Sequence, residues 1–508
     1  MSLKGIVKSK KFAIIISYIM ILANTLSNLL LTPLYLHFLG IEMYGLYQMV
    51  YSVAHYILIL DFGISTAMVR YISIYHAKND YKSEQNFSAH CVGIVSVIVI
   101  LIAIIGLVVD SFLLKVYPSI TASEAPIAHT IFAIMVVTIS ITIIEHFFQG
   151  IIMSYEHFSI VKFVSLIKVV LKVIITIIML VLNCNVISIV ASDLIVSILS
   201  VLTLSIYAFK VLHFKIKLSK FSKSLLFSIL SFMFAIFLQS VVSYVNNVVD
   251  KTILGIMTTK RDVAVYSVAL TFITLFNSLP SAISGVFLPQ ATKLITKEAN
   301  RNELTEFVIR PGRYQFMICG AIIAGFILFG KEFITLWSGA DTIAAWDIAL
   351  IIMIPNIIPL IENTVISILD AKKKRLFRSV VLFMISLVNV IVSVILVKKY
   401  GMMGAPIGTA IAFVLGYGIV LNVYYSRVIG IKVIFMFKNI FSRIWLCILI
   451  AFFISFPLNY IFKSYNTLTF LLKCVVFCAT YALMLFIYGF NNNEKKDVMA
   501  IAKKLIKK

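Results

Sequence analysis

The stretches of sequence that decide the fold class are long apolar runs such as residues 159–182, which read SIVKFVSLIKVVLKVIITIIMLVL. A helix needs about 20 mainly apolar residues to cross the hydrocarbon core of a bilayer, which is roughly 30 Å thick. Runs of this length recur along the chain. Of the 508 residues, 61% are hydrophobic and only 13% are charged, which excludes a disordered chain, a secreted disulfide scaffold and a conventional soluble enzyme. We therefore expect an all-α polytopic membrane protein.

Fourteen apolar segments have the length of transmembrane helices. The predicted spans are residues 11–36, 43–76, 88–109, 127–150, 159–182, 187–209, 225–249, 262–288, 315–337, 346–370, 377–397, 403–426, 443–462 and 468–489. The chain has 44 Lys and Arg against 21 Asp and Glu, and most of the basic residues fall in alternate connections and in both tails. Because cytoplasmic loops carry the excess of Lys and Arg, both termini are predicted to be cytoplasmic. Topology accounts for the net charge of +23, so we expect no nucleic-acid partner.

An internal repeat relates the two halves of the chain. A shift of 217 residues places Ile144 and Glu145 of span four on Ile361 and Glu362 of span ten. Six spans per copy is an even number, so the copies cross the membrane in the same sense, related by a pseudo-two-fold axis along the membrane normal. We expect a cytoplasmic tail at 1–10, a six-helix N-lobe at 11–210, a basic cytoplasmic linker at 211–224, a six-helix C-lobe at 225–426, two further helices at 427–489 and a basic cytoplasmic tail at 490–508.

The connections between spans are too short for a soluble catalytic domain. We therefore expect a protein that is not an enzyme and has no catalytic residues. The six cysteines lie within or beside apolar spans and form no tight cluster, so no metal site is predicted. No cofactor is expected either, and energy for transport would come from an ion gradient, the membrane potential or the substrate's own gradient.

Ionisable residues inside the predicted spans are the candidate functional residues, because a charge in lipid is costly. They include Asp61 and Arg70 in span two, Glu145 in span four, Lys168 and Lys172 in span five, and Asp193 in span six. At about 1.5 Å per residue from the connecting turns, Lys168 lies at the depth of Glu145, and Lys172 at that of Asp193. Two interpretations remain open: structural ion pairs that tie three helices together, or a cationic pocket for an anionic headgroup.

The second copy of the repeat keeps the acid but not the bases. Glu362 matches Glu145, whereas the positions that match the two lysines hold Ile385 and Asn389. Glu362 could therefore pair across a cleft, take a proton or bind a cation, with Arg378 as its alternative partner.

Amide side chains form a second set of candidates. They are Asn24, Asn28, Gln239 and Asn277, in spans one, seven and eight. Such amides either hydrogen-bond between helices or recognise the hydroxyl groups of a sugar.

Several short motifs resemble those of bacterial flippases for polysaccharide repeat units. The second span contains LDFGIS at 60–65 and AMVRY at 67–71, and YGLY precedes them at 44–47. The seventh and eighth spans contribute VDK at 249–251 and VYSVA at 265–269. These motifs are similar to the oligosaccharide branch of the multidrug/oligosaccharidyl-lipid/polysaccharide (MOP) exporter superfamily, which also contains multidrug extruders and the lipid II flippase.

The resemblance implies the MOP flippase fold and alternating access. The implied activity moves undecaprenyl-diphosphate-linked oligosaccharides from the inner to the outer leaflet of the bacterial plasma membrane, for O-antigen, capsule or exopolysaccharide. Polysaccharide polymerase and chain-length machinery are the implied partners, besides the lipid-linked substrate and membrane lipids. The residues that match the cationic cleft are Arg70, Lys168, Lys172 and Lys251. The residues assigned to ion coupling or gating, with H⁺ or Na⁺, are Asp61, Glu145, Asp193 and Glu362.

Two other functions compete with this interpretation. An ion-coupled multidrug antiporter of the same fold should have an acidic and aromatic cleft, whereas the first half of this chain offers Arg70, Lys168 and Lys172. A membrane-embedded polysaccharide polymerase would need a sizeable external loop or an interfacial acid cluster, and the sequence has neither. Both alternatives are therefore weaker than the flippase.

Overall fold

The computed structural model describes residues 10–182, 185–217, 221–284, 288–372, 374–462, 466–496 and 499. All regular secondary structure in these ranges is helical, as the composition predicts. The chain divides into two compact units, residues 1–264 and 265–508, and the boundary falls inside the helix Lys260–Ser284. The helices of the first unit are α1 Lys10–Ile57, α2 Ile64–Ala77, α3 Tyr81–Val116, α4 Ala125–Ser154, α5 Phe158–Val181, α6 Ile187–Ile206 and α7 Lys223–Met257.

The second unit begins within α8 and continues to the C-terminal helices. Its helices are α8 Lys260–Ser284, α9 Leu288–Thr296, α10 Arg301–Ser338, α11 Ala345–Ile361, α12 Asn363–Ala371, α13 Arg375–Tyr400, α14 Gly404–Phe413, α15 Val433–Phe441, α16 Ile444–Ser455, α17 Leu458–Ile461 and α18 Thr467–Met484. After α14, π-helical and α-helical turns continue to Ile429, and a π-helical turn, Leu485–Gly489, follows α18.

Among the described residues, ten helical stretches are long and apolar enough to cross a membrane. Two of them, Ile19–Ala77 and Phe377–Ile429, each cover two predicted spans, so the ten stretches account for twelve of the fourteen. The remaining two predicted spans fall on α7 and α8, both of which contain side chains outside the described part. The multi-pass helical fold is confirmed, and the count of fourteen stays a prediction.

Apolar side chains on the outside of the molecule indicate a lipid environment. On α3, Cys91 and Ile102 are fully buried, whereas Leu107 is 75% exposed and Ile100 is 58% exposed. In water this exposed stripe would cost roughly 25 cal/mol for each Å². In a bilayer the lipid tails cover the stripe at no such cost. The exposed apolar side chains of the described helices thus fit a hydrocarbon environment.

The predicted second span is not a continuous helix. Helix α1 turns at Gly40, which has a left-handed backbone (φ 76°), and ends at Ile57. A 3₁₀ turn, Leu58–Asp61, follows, and Phe62 and Gly63 are left-handed (φ 48° and 66°) before α2 begins. The sequence analysis identified residues 60–65 as a motif but predicted an unbroken span. The left-handed pair is what breaks the helix there, because it cannot continue right-handed geometry.

Helix α7 packs along α1 through small and polar residues. A Cβ on Gly255 would lie 2.6 Å from the ring of Tyr117, so only glycine allows this approach. The Tyr117 hydroxyl shares a 2.8 Å hydrogen bond with Ser52 of α1, and Thr252 lies 3.4 Å from the same Ser52 hydroxyl. The Thr252–Ser52 contact joins residues 200 positions apart in the sequence, and the Tyr117–Ser52 bond joins residues 65 positions apart.

The turn between α7 and α8 closes one end of the first unit. The Lys260 ammonium donates to both carboxylate oxygens of Glu124, at 2.6 and 2.7 Å, and lies 3.8 Å from a carboxylate oxygen of Glu42. A Cβ on Gly45 would collide with the Lys260 carbonyl oxygen. A charged cluster and one close backbone approach therefore hold this end together.

Two buried ion pairs fasten the C-terminal helices to α10 in the second unit. Lys473 of α18 donates to Glu332 of α10 at 2.6 Å, and both side chains are at most 4% exposed. Near the other end of α10, Arg313 contacts both carboxylate oxygens of Glu494 at 2.6 and 3.1 Å. The same guanidinium donates to the carbonyls of Asn439, Ser442 and Gly489. The Arg313 charge is thus fully hydrogen-bonded inside the protein.

Gly45 gives the first prediction. Replacing Gly45 by Ala should lower the free energy of unfolding by about 1–3 kcal/mol, because the new methyl group pushes α1 away from the turn that holds Lys260. Gly93→Ala is the matched control, since no atom lies within 4 Å of its Cβ position. That change should be neutral or stabilising by up to about 1 kcal/mol. Thermal unfolding in detergent measures both, and equal midpoints for the two variants would contradict the close approach.

Glu124 gives a prediction about pH. Burial by itself raises the pKa of the Glu124 carboxyl, but the hydrogen bonds from Lys260 and Thr121 outweigh it and hold the pKa below its ordinary value. A carboxyl whose folded pKa is depressed stabilises the fold above its unfolded pKa, and that stability is lost as pH falls through the folded pKa. Thermal midpoints measured from pH 7 to 3 should therefore fall less steeply in Glu124→Gln than in the wild type.

The control for this titration is Glu156→Gln, which changes an exposed acid in another turn of the same unit. It should reproduce the wild-type profile. A Glu124→Gln profile parallel to the wild type would show that Lys260 does not stabilise the ionised carboxylate.

Candidate functional site

Both ion pairs predicted from helix depth are present in the first unit. Lys168 of α5 donates to Glu145 of α4 at 2.7 Å, and Lys172, one turn further along α5, lies 2.7 Å from Asp193 of α6. The four-residue spacing puts both lysines on one face of α5. Helices α4, α5 and α6 are thus tied together at two successive levels.

Glu145 is the more deeply buried of the two acids. Its side chain is 4% exposed, and besides Lys168 it accepts hydrogen bonds from Gln149 at 3.0 Å and from Ser200 at 2.8 Å. Asp193 is 31% exposed, and its partner Lys172 is 30% exposed. The Glu145 carboxylate is therefore buried with three hydrogen-bond donors, whereas Asp193 and Lys172 remain accessible to solvent.

A third acid within the predicted spans is also paired with a base. Asp61, at the break between α1 and α2, lies 3.0 Å from Nδ1 of His146 on α4. The break therefore places Asp61 against the residue that follows Glu145. Irregular backbone at membrane depth is tolerated where protein surrounds it. Here the two side chains cover each other in part, since His146 is 31% exposed and Asp61 is 24% exposed.

A cavity of about 200 Å³ lies beside these pairs in the first unit. Its polar lining includes His55, Lys168, Asp193 and Ser197. The other residues that line it are Tyr51, Ala54, Leu58, Met135, Thr138, Ile139, Thr142 and Val190. Asp193 of α6 and the aromatic residues Tyr51 and His55 of α1 therefore line the same cavity.

The other two predicted cations lie at different levels along α7. Lys251 donates to Gln48 at 2.9 Å and lies over the Tyr51 ring, 5.6 Å from its centroid; no carboxylate contacts it among the described residues. Arg70 is exposed and lies over Phe232, 4.4 Å from the ring centroid. Phe232 and Lys251 are nineteen residues apart on one helix, so these cations are separated by roughly 28 Å along its axis.

The predicted amide side chains that the structure describes make different contacts. Asn277 accepts a 2.6 Å hydrogen bond from Asn356, the interhelical interaction that the sequence left as one alternative. Asn24 is exposed and bonds to the Met20 carbonyl of its own helix, and Asn28 is also exposed. The side chain of Gln239 lies outside the described part. The interhelical alternative thus holds for Asn277, whereas the amide of Asn24 bonds within its own helix.

Glu362 lies in the second unit at a break between two helices. Helix α11 contains two prolines and ends at Ile361, and α12 begins at Asn363. Glu362 is 2% exposed, and neither carboxylate oxygen has a donor within hydrogen-bond distance in the described part of the chain. Asn422 and Arg378 are its polar neighbours, beyond that distance. The structure therefore leaves this acid unpaired, and Arg378 does not form the ion pair that was its alternative.

The sequence analysis missed the aromatic component of the site. Tyr44, Tyr47, Tyr51 and His55 recur at the spacing of one helical face, a signal that was available in the sequence. Gln48, which connects Lys251 to Tyr44 through hydrogen bonds of 2.9 Å each, was also not identified. No group of three or more His, Cys, Asp or Glu that could hold a metal ion occurs among the described residues.

The multi-pass helical fold and the ion pairs within its predicted spans define a class, polytopic helical membrane proteins. The lipid II flippase MurJ in an inward closed conformation is similar over 94% of this chain and 98% of its own, with a TM-score of 0.73 and 19% identity. A multidrug resistance MATE family transporter of the MOP superfamily, inward-facing, matches 82% of this chain and 96% of its own, with a TM-score of 0.62 and 14% identity. The Vibrio cholerae MATE transporter VcmN in the bent form matches 86% and 99%, with a TM-score of 0.52 and 14% identity.

A family model described as polysaccharide biosynthesis protein matches residues 11–295, and the chain belongs to that family. No curated protein matches it. The structural similarities, all below 20% identity, show the fold. The resemblance inferred from the motifs of the second, seventh and eighth spans is confirmed at the level of this family.

The Glu145 pair gives a prediction about stability. Lys168→Met should lower the free energy of unfolding by about 3–5 kcal/mol, because it leaves Glu145 buried without its cation. Replacing both residues by Met removes the uncompensated charge and should recover most of that loss. Equilibrium unfolding in mixed micelles measures the stability of the wild type, of Lys168→Met and of the double variant.

The matched control is Lys162→Met, which removes a lysine of the same helix that contacts no carboxylate among the described residues. It should change stability by less than about 1 kcal/mol. If Lys168→Met were equally mild, the ion pair would contribute nothing to holding α4 and α5 together.

Proposed function

We propose that the protein is a flippase that moves undecaprenyl-diphosphate-linked oligosaccharides from the inner to the outer leaflet of the bacterial plasma membrane by alternating access. It works without covalent chemistry and supplies repeat units for surface polysaccharide, such as O-antigen, capsule or exopolysaccharide. Both termini face the cytoplasm in this proposal. A polymerase and chain-length machinery would receive the substrate at the outer leaflet.

The charge balance of the first unit carries the proposal. The three acids predicted there each contact a base: Asp61 contacts His146, Glu145 contacts Lys168, and Asp193 contacts Lys172. Lys251 has no carboxylate partner among the described residues, because its contacts there are the Gln48 amide and the Tyr51 ring. A cation without a carboxylate partner at this depth favours an anionic ligand, and a diphosphate is the anionic part of the proposed substrate.

The separation of Arg70 and Lys251 fits a substrate that moves from one leaflet to the other. Both lie beside α7, roughly 28 Å apart along its axis, which approaches the thickness of a hydrocarbon core. In the proposed cycle, Arg70 meets the diphosphate near the cytoplasmic leaflet, and Lys251 meets it near the outer leaflet. The polyprenyl chain stays in lipid throughout.

The lysine pair of α5 has a different part in this proposal from the one first expected. Lys168 and Lys172 are already neutralised by acids, so they position α4, α5 and α6 rather than bind the diphosphate first. Asp193 and Lys172 remain partly exposed and can rearrange when a substrate arrives. Glu145, which has three donors, is a structural acid rather than a gate.

Glu362 is the observation that favours ion coupling, the second candidate property. A buried carboxylate without a hydrogen-bond donor is expensive in a membrane, and protonation or a bound Na⁺ would relieve that cost. Its position at a helix break suits a group whose charge state alters the bend. An ion-coupled multidrug antiporter would use the same acid, but it would also need unpaired acids for a cationic drug, and the three acids predicted within the spans of the first unit each contact a base.

Lys251→Gln tests the proposal directly. In cells whose surface polysaccharide depends on this protein, the variant should reduce lipid-linked oligosaccharide at the outer leaflet by about tenfold or more, with accumulation inside. Tenfold corresponds to about 1.4 kcal/mol, within the range of one charge-assisted hydrogen bond. Lys251→Arg keeps the charge and should retain most of the transport.

Lys115→Gln is the matched control, because Lys115 also lies over an aromatic ring, 5.2 Å from the centroid of Phe112, but it is an exposed residue that lies on a different helix from Lys251. It should transport at the wild-type rate. Membrane abundance is measured for every variant. Wild-type transport by Lys251→Gln at normal abundance would remove Lys251 from the anion site and with it the support for a diphosphate substrate.

A further inference from the structure

The cavity of the first unit is chemically unlike an anion site. Its lysine, Lys168, is held by Glu145 at 2.7 Å, and its acid, Asp193, is held by Lys172 at the same distance. The charged groups at its wall are thus balanced in pairs. A diphosphate placed there would lie beside Asp193 and would have to displace a carboxylate from its lysine.

One wall of the cavity is aromatic. Tyr51 and His55 line it, with ring centroids 4.9 Å apart and planes inclined by 29°. The same face of α1 continues through Tyr47, 5.9 Å from Tyr51, and Tyr44, 6.4 Å from Tyr47. The sequence spacing of these residues, three or four positions, places them on a single helix face. The cavity therefore lies at one end of a continuous aromatic surface.

The opposite wall carries hydrogen-bonding groups. Thr138 and Thr142 come from α4, and Asp193 and Ser197 come from α6. Asp193 is 31% exposed and uses one oxygen for Lys172, so its remaining lone pairs can accept hydrogen bonds from a ligand. Hydroxyl and carboxylate groups that face an aromatic surface across about 200 Å³ suit a small ligand with an apolar face and hydroxyl-bearing edges.

We propose that this cavity is a sugar subsite. A pyranose ring packs its C–H face on Tyr51, and its hydroxyls donate to Asp193 and exchange hydrogen bonds with Ser197. The ligand class is a neutral monosaccharide unit, not a phosphate. This inference rests on the proposed function and divides its substrate between two places: the diphosphate at Lys251 and a sugar in the cavity.

Tyr51 joins the two places. Lys251 lies over its ring, 5.6 Å from the centroid, and the same residue lines the cavity. A diphosphate at Lys251 would therefore leave the attached sugar within reach of the cavity. The geometry predicts that the sugar contributes to affinity through Tyr51 and that the diphosphate contributes through Lys251.

The test measures binding of two lipids to the full-length protein in nanodiscs. One probe is undecaprenyl diphosphate, and the other is the lipid-linked oligosaccharide extracted from cells that lack the protein. The wild type should bind the oligosaccharide lipid more tightly than the bare lipid. Tyr51→Ala should lose about tenfold in affinity for the oligosaccharide lipid and keep its affinity for undecaprenyl diphosphate. Lys251→Gln should lose affinity for both.

Tyr51→Phe keeps the ring and should retain the sugar-dependent gain in affinity. Tyr460→Ala is the matched control, because Tyr460 is a 65% exposed tyrosine of the second unit and lines no part of this cavity. Thermal midpoints establish that each variant is folded. If Tyr51→Ala is unstable, Ser197→Ala replaces it and should reduce the sugar-dependent gain alone.

The two hypotheses fail in different ways. If the wild type binds neither lipid, the proposed function is wrong. If it binds both lipids and Tyr51→Ala weakens them equally or not at all, the function stands and the sugar subsite is wrong. If Tyr51→Ala weakens only the oligosaccharide lipid, the sugar subsite is supported.

Discussion

Neutralisation of charge inside the bilayer is the constraint on which the rest of this structure depends. A lone ammonium or carboxylate at membrane depth is costly, so each must find a partner or serve a ligand. Most of the intramembrane charges described here are paired, and the pairs hold the helices in place: Lys168 with Glu145 in the first unit, and Lys473 with Glu332 in the second. Against this background the charges without an oppositely charged partner in the described part of the chain, Arg70 and Lys251 among the cations and Glu362 among the acids, indicate where the protein meets a ligand or an ion.

The exceptions are of opposite sign and lie in different units. Lys251 is a cation whose described partners are an amide and an aromatic ring, and Glu362 is an acid without a donor within reach. Glu362 occupies a break between helices, and Asp61 occupies another. The two breaks differ in their backbone: Glu362 keeps a right-handed helical conformation with its N–H and C=O hydrogen-bonded, whereas Phe62 and Gly63 after Asp61 are left-handed. The acids at the two breaks differ, because Asp61 has His146 as a partner and Glu362 has none in the described part of the chain.

Much of the architecture follows from the sequence alone, for a simple reason. A transmembrane helix makes all of its backbone hydrogen bonds internally, so length and hydrophobicity are enough to identify it. Regular rise along the helix also places residues at calculable depths, which is why the partners of Lys168 and Lys172 were predicted correctly. Local patterning did not predict the left-handed pair at Phe62 and Gly63, because non-glycine residues rarely adopt that conformation.

The sequence by itself determined the helical membrane fold, the family and the two ion pairs of α5, since each depends on local periodicity or on neighbours along the chain. Tertiary structure alone decided which lysine has no carboxylate partner in the described part of the chain. Lys251 meets Gln48 and Tyr51 across about 200 residues of sequence, and no periodicity within one helix encodes that contact. The cavity arises in the same way, because its walls come from α1, α4, α5 and α6 and exist only when those helices pack together.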